Sequence, residues 1–362
     1  MNVRIAGMGW VTPLGSDIGE VWSQLLSGKQ AVPQPFDLEN EEHGSACRVP
    51  ATAVGNLPSH PRLRRASAIS RFAASAGLSA LSSAGIHMEP GLAGRTAIIF
   101  AIANGGVVYT RRFYNDIVST GARAASPLLF PETVFNAPAS HLAAVLGIAG
   151  ITYTLVGDGA VGILAIKMAT DLLENDAADR CLVVGAEEAD PLVFRAYRKW
   201  RLCRKAPPMA VYEQSPRGMI LSEGAGALLL HRGEGVAIGD VDPGANFNRR
   251  NELPALLSNI LSRISQPNAD ALVTSANGTF IDRAEQQAIA SVGGNTQVFA
   301  PKVLLGESVG ASALWQTIAA AQILLTQQMP GSATQTTRFT NVAVLTSGLN
   351  QQAAGLRLAV AL

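Results

Sequence analysis

Residues 159–173, GAVGILAIKMATDLL, are apolar on nearly every face of a helix, with Lys167 and Asp171 on the one polar edge. Such a helix has no side to give to water and must be covered all round, so it sits at the centre of its fold. The segments around it read as the cover. ITYTLVGD (151–158), RCLVVGA (180–186) and TAIIFAIAN (96–104) have the continuous β-branched and apolar character of strands packed on both faces. The opening VRIAGMG (3–9) is a further strand, followed by a turn and by Asp17, placed to cap a helix whose Ile18, Val21, Trp22 and Leu25 have helical spacing.

The alternation continues to the end of the chain. Residues 37–66 are polar, carry Pro50, Pro58, Pro61, Arg62, Arg64 and Arg65, and read as a surface excursion. Helices are expected from about Ser70 to Gly85, near 107–119 and over 133–147, and a strand over 225–231. The rhythm then repeats: strands at 236–242, 270–275, 296–300, 341–347 and 355–361, with helices at 251–265, 280–291 and 309–327. Without a Pro- or Ser-rich linker, this predicts one layered α/β body made of two similar halves, 1–235 and 236–362.

Composition limits what the body does. With 362 residues, 48% of them hydrophobic, the chain can bury a large core, and disorder is excluded. Lys+Arg 28 against Asp+Glu 27 leaves a net charge of +1, which gives no global attraction to nucleic acid or an anionic membrane. Cys47, Cys181 and Cys203 lie far apart without a CxxC pair, and the five histidines are scattered, so neither a metal nor a disulfide framework is expected. The glycine-rich VGDGAVG and SEGAGA fit neither nucleotide-binding spacing, and no cofactor is expected. No apolar run approaches the ~20 residues of a membrane span, and the N-terminus reads as a strand, so a cytoplasmic protein is expected.

Six ordered blocks carry a family likeness: VRIAGMGWVTPLG with VWSQLLSGKQAV, SRFAASAGLSALSSAGI (70–86), FPETVFNAPASHLAAVLGIAG (130–150), ADRCLVVGAEEADPLVF (178–194), PRGMILSEGAGALLL (216–230) and PKVLLGESVGASALWQ (301–316). Together they resemble β-ketoacyl synthases, the condensing enzymes of fatty acid and polyketide synthesis. The resemblance implies a thiolase-like five-layer αβαβα fold and a dimer joined through the strand at 151–157. It also implies a catalytic cysteine and two histidines. Laid on this chain, the cysteine of a T-A-C-x-x-G motif falls on Gly159, the histidine of N-A-H-G-T on Asn277, and the histidine of G-H-x-x-G-A on Glu307. Gly159 can form no thioester. The closing loop, G-F-G-G-x-N in such enzymes, has become SGLNQQA (347–353). Lys302, Asp282, Glu285, Gly310 and Ala311 still match framework positions, with Lys302 expected to pair with Asp282, Glu285 or Glu307.

A ketosynthase-like chain without its nucleophile resembles the chain length factor, the inactive partner of a catalytic ketosynthase in type II polyketide and polyene systems, although such factors often carry Gln where Gly159 stands. This implies two partners, the catalytic ketosynthase and an acyl carrier protein, and no catalytic residue. The basic run FRAYRKWRLCRKAP (194–207) supplies Arg195, Arg198, Lys199, Arg201, Arg204 and Lys205 as docking candidates for the acidic carrier, against the ordinary alternative of a solvated face. The helix at 107–119 would face the partner, with Val108, Tyr109 and Phe113 as tunnel floor and Arg112 as a polar plug. Two alternatives stay open: new chemistry such as decarboxylation or hydrolysis by Asp158 or Glu307, and a homodimeric acyl-binding scaffold.

Overall fold

The computed structural model describes residues 3–37, 43–204, 207–265, 269–292, 296–331 and 338–360. In chain order the elements are β1 (Arg4–Val11), α1 (Ile18–Leu26), β2 (Gln34–Asp37), β3 (His43–Cys47), α2 (Ala68–Ser83), α3 (Pro90–Ala93), β4 (Thr96–Ile102), α4 (Val107–Thr120), α5 (Ala137–Leu146), β5 (Thr152–Val156), α6 (Val161–Glu174), β6 (Arg180–Glu187), α7 (Pro191–Lys199), β7 (Leu221–Ser222) and β8 (Gly224–His231). There follow β9 (Val236–Asn246), α8 (Leu253–Ile264), β10 (Ala271–Val273), α9 (Phe280–Val292), β11 (Gln297–Phe299), α10 (Pro301–Leu305), α11 (Ser312–Thr326), β12 (Asn341–Ser347) and β13 (Gln352–Ala359).

Ten strands run in the order β11-β10-β12-β13-β9-β1-β8-β6-β4-β5. Taken along the chain, β1, β4, β5, β6 and β8 lie in the spatial order third, second, fourth, fifth, first, and β9 to β13 repeat that order. The directions repeat too: the first three strands of each set from its outer edge are parallel and the next two are antiparallel. Among the described residues the two sets pair through Arg4 opposite Ala237 and Ile5 opposite Val236. α2 and α5 cover the outer face of one set and α8 with α9 the other, while α6 and α11 touch strands of both sets. The arrangement is the five-layer αβαβα fold.

The local reasons are visible in the sequence. Asp17 accepts from the Glu20 amide at 2.8 Å and caps α1, whose Val21, Trp22 and Leu25 are buried as their spacing predicts. In β1, a Cβ on Gly7 or Gly9 would lie within 2.2 Å of the α2 carbonyls of Ala80 or Ala76, so glycine there lets the outer helix approach the strand backbone. α11 ties the sets together: the Trp315 indole donates to Ala225 O at 2.8 Å in β8, and the Gln316 amide donates to Leu345 O at 2.9 Å in β12.

The surface excursion at 37–66 contains a strand: β3 lies between β2 and β7 in a separate three-stranded sheet, burying Ala46 and Cys47. Its strands are too short to show an alternating pattern. Among the described residues no helix is long and apolar enough to cross a membrane, and no cluster of metal-ligating side chains occurs.

Candidate functional site

The three positions at issue are buried, and two of them lie at the starts of the inner helices. Gly159 precedes α6, Glu307 precedes α11, and Asn277 lies between β10 and α9. The Asn277 amide donates to Glu307 Oε2 at 2.8 Å, and Lys302 Nζ, from α10, approaches the same oxygen at 2.9 Å. Lys302 is 1% exposed and Glu307 2%, so the pair is an interior one. Removing two charges from water costs more than their attraction returns unless further hydrogen bonds are made. They exist in part: Lys302 also donates to Ser275 Oγ at 2.9 Å and Asn277 to Glu307 Oε2, with Asn277 itself held by the Thr279 hydroxyl at 2.6 Å, while Glu307 Oε1 is buried without a hydrogen-bond partner among the described residues. Of the pairings open to Lys302, the structure realises Glu307, and Asp282 instead accepts from the amides of Asn277 and Gly278.

Glu285 completes the cluster. Its Oε1 accepts from the Ser275 amide at 2.8 Å, and burial pushes its pKa up to about 8, so the carboxyl holds its proton near neutral pH. Lys302 and Glu307 thus form the ion pair of this interior cluster.

Around Gly159 the geometry is different. A Cβ on Gly159 would lie 3.1 Å from both Gly348 Cα and Ser347 O, so the closing loop is packed onto the nucleophile position. The neighbouring Asp158 does not face Glu307 as an acid/base partner. Its carboxylate accepts from three successive amides of that loop, Leu349 at 3.1 Å, Asn350 at 2.7 Å and Gln351 at 3.1 Å. Asp158 and Glu307 are therefore committed to separate partners.

Tyr197, buried on α7, lies within electrostatic reach of both. Burial first, then the carboxylates of Glu187, Asp158 and Glu307, push its phenol above the ordinary value, and its neighbour there is Asn104. In the sequence Tyr197 and Trp200 stand out only as aromatics between the cations of 194–207; the structure separates them, with Tyr197 buried beside Val193 and Phe194 and Trp200 exposed.

The docking candidates divide. Arg195, Arg198 and Lys199 line a shallow surface depression with Leu192, and Arg201 is exposed beside Trp200. Arg204 is corrected: it is buried, donates to Gly218 O at 2.7 Å and grips the Glu213 carboxylate at 2.6 and 3.0 Å, a structural clamp turned inward. Lys205 lies outside the described residues.

The tunnel candidates Val108, Tyr109 and Phe113 are half-buried and Arg112 is exposed, on a helix α4 that buries no residue within this chain. Phe113 packs on Phe130 with ring centroids 5.8 Å apart. His141 is buried against Glu132, with Nε2 and Oε1 2.5 Å apart. Burial pushes the thiols of Cys47, Cys181 and Cys203 up to about 12, which leaves them unreactive.

Comparison with known proteins agrees with this architecture. Residues 1–235 match the family model for the β-ketoacyl synthase N-terminal domain. The chain belongs to the β-ketoacyl synthase family. It is 24% identical over 241 residues to 3-oxoacyl-[acyl-carrier-protein] synthase 2 of Vibrio cholerae, covering 64% of this chain and 58% of the relative. It is 27% identical over 235 residues to nodulation protein E of a Rhizobium species, covering 63% of this chain and 57% of that one. The matched region thus spans less than two thirds of these relatives. The synthase 2 of Synechocystis aligns over 91% of this chain and 86% of its own length, at 22% identity. Among solved structures, the ishigamide ketosynthase/chain length factor superposes with a TM-score of 0.85 over 99% of both chains, at 20% identity. A ketosynthase in complex with its chain length factor from Xenorhabdus doucetiae gives 0.81 over 99% of this chain and 98% of that one, at 17% identity. Likeness at this identity establishes the thiolase-like fold.

Proposed function

We propose that this chain is a non-catalytic ketosynthase-like subunit, a chain length factor, that pairs with an active ketosynthase in type II polyketide or polyene biosynthesis and helps to shape the acyl tunnel. One observation carries the reading: the position that should bear the acyl group is a glycine under a packed loop, in a chain whose outermost strand is apolar and open. Asn277 and Glu307 add no histidine to stabilise the anions of decarboxylative condensation. The edge strand β5 exposes Tyr153 and Val156 at 48% and 54%, and Leu128, Phe130 and Phe135 are exposed as well. An unpaired apolar edge of this kind invites a second chain.

In this reading residues 1–235 and 236–362 are the two halves of one cytoplasmic subunit. Val108, Tyr109, Arg112 and Phe113 face the tunnel across the interface, and Arg195, Arg198, Lys199 and Arg201 steer an acidic acyl carrier protein. The relatives named as synthases point to condensation, and the site departs from the cysteine and histidine motifs that the resemblance implies.

The test is coexpression with a ketosynthase that has an intact cysteine and two histidines, drawn from a neighbouring reading frame. The tagged chain is expected to bring the ketosynthase with it. Incubated alone with acyl carrier thioesters, it should keep its mass and form no product. A stable acyl adduct on the isolated chain, or a well-behaved monomer with no affinity for the ketosynthase, overturns the assignment. A tight homodimer in place of the mixed complex would favour the scaffold.

A further inference from the structure

We infer that Asp158 is a latch that locks the loop 348–351 over Gly159 and so closes this chain's own remnant site. The evidence is a set of contacts that only a closed loop can make. Three consecutive backbone amides, those of Leu349, Asn350 and Gln351, point at one carboxylate, with Oδ1 taking the first and Oδ2 the other two. Successive N–H groups turned to one side form an anion-binding concavity, and here the anion is supplied by the chain itself. Bonds from amides to an ionised carboxylate are among the stronger hydrogen bonds a protein makes.

The loop is shaped for this one contact. A Cβ on Gly348 would fall 2.0 Å from Asp158 Oδ2, so only glycine lets the carboxylate lie against the loop backbone. Its ends are fixed too: the Gly348 amide donates to Gln352 O at 2.7 Å, and the Phe247 amide donates to Gln351 O at 2.6 Å. Closure in turn explains Gly159. With Gly348 Cα and Ser347 O only 3.1 Å from where its Cβ would lie, a side chain there would be held tightly under the loop and the end of β12. Asp158, Gly159 and Gly348 are therefore one structural unit, and the loss of the nucleophile is coupled to the sealing of its pocket.

The consequence concerns thioester arms. While the loop is latched, an arm cannot reach Gly159, so growing chains load only on the other subunit; this consequence rests on the proposed pairing, whereas the latch itself is intramolecular.

The experiment is amide hydrogen exchange on the chain in the assembly in which it purifies, comparing the unaltered protein with Asp158→Ala and Gly348→Ala, which break the contact from its two sides. The amides of Leu349, Asn350 and Gln351 are expected to exchange about tenfold faster or more in both variants, with α6 and β12 unchanged. A second readout uses the thiol introduced by Gly159→Cys, which should be alkylated by iodoacetamide about tenfold faster when Asp158→Ala is added. Unchanged exchange at the three amides, or alkylation indifferent to Asp158, overturns the latch. Asp158→Ala should still copurify with the ketosynthase, so a failed pairing and a failed latch give separate results.

Discussion

β5 and β11 are the third strands of two sets with the same topology, each at an outer edge of the sheet, and they are finished in opposite ways. β11 is three residues long and its Phe299 is buried edge-on against Trp22 of α1, with ring centroids 6.3 Å apart. β5 leaves Tyr153 and Val156 in solvent. The helices that follow differ in the same sense. Ahead of α11 a lysine and a glutamate are sealed in the interior, while ahead of α6 a half-buried aspartate holds a surface loop. A repeated topology thus ends in a short, half-buried strand at one edge and in an exposed one at the other, which is the edge the proposed pairing uses.

The edges give the sharpest way to break this contrast. Val156→Lys on β5 should weaken association with the partner by about 100-fold or more, since it sets a charge in an apolar interface. Val298→Lys on β11 should leave association unchanged. Light scattering on the coexpressed proteins reads both, and equal effects from the two strands would dissolve the contrast.

The helix ends should differ in energy. Lys302→Met leaves Glu307 buried without its cation, an uncompensated charge worth about 3–5 kcal/mol of stability in urea unfolding. Lys302→Met combined with Glu307→Leu should cost much less than the sum of the single changes, as coupled partners do. Asp158→Ala, at the half-buried end, should cost only about 1–3 kcal/mol. For the same reason Glu307→His cannot simply restore an active site, because it takes away the anion that Lys302 needs.

Much of this was legible in the residues. The apolar girth of 159–173 placed α6 between layers, and the motif positions led to Gly159, Asn277 and Glu307 without coordinates. What the sequence withheld was direction. Arg204 reads as one of six cations in a basic run, yet its guanidinium turns inward to Glu213, a partner nine residues later whose approach depends on the fold of the intervening segment. Asp158 reads as a stray carboxylate, and its loop lies almost two hundred residues away, beyond the reach of any spacing rule. Contacts between distant backbone amides and a side chain leave no periodic trace.

Acidity provides a smaller and more specific probe of the sealed end. Burial raises Glu285 from its ordinary 4.5 to about 8, and Glu187 and Glu188 to about 7. Below pH 4.5 both folded and unfolded chains hold the Glu285 proton; between 4.5 and about 8 only the folded chain holds it, so its stabilisation is lost as pH rises through that window. The melting temperature should therefore fall between pH 6 and 8.5, by roughly 2–4 °C for each kcal/mol lost. Glu285→Gln should flatten the slope, and the part that remains belongs to Glu187 and Glu188. An unaltered slope in that variant would mean that Glu285 is ionised in the folded protein.

The smallest effects belong to the open end, where α4 buries nothing within this chain. Phe113 and Tyr109 are half-buried in the single subunit, so Phe113→Ala and Tyr109→Ala should cost its fold well under the roughly 3–5 kcal/mol expected for a fully buried aromatic. Their consequence should show only across the interface. If these rings form the tunnel floor, truncating either one removes the volume of several methylenes and lets a longer chain fit before it meets the wall. The measurement is the product mass distribution from the reconstituted pair, with complex yield followed in parallel. A shift toward longer products at normal yield is expected from Phe113→Ala or Tyr109→Ala, and a larger shift from the two together. Unchanged products from both and from their combination would make α4 an ordinary packing surface and place the floor on the other subunit.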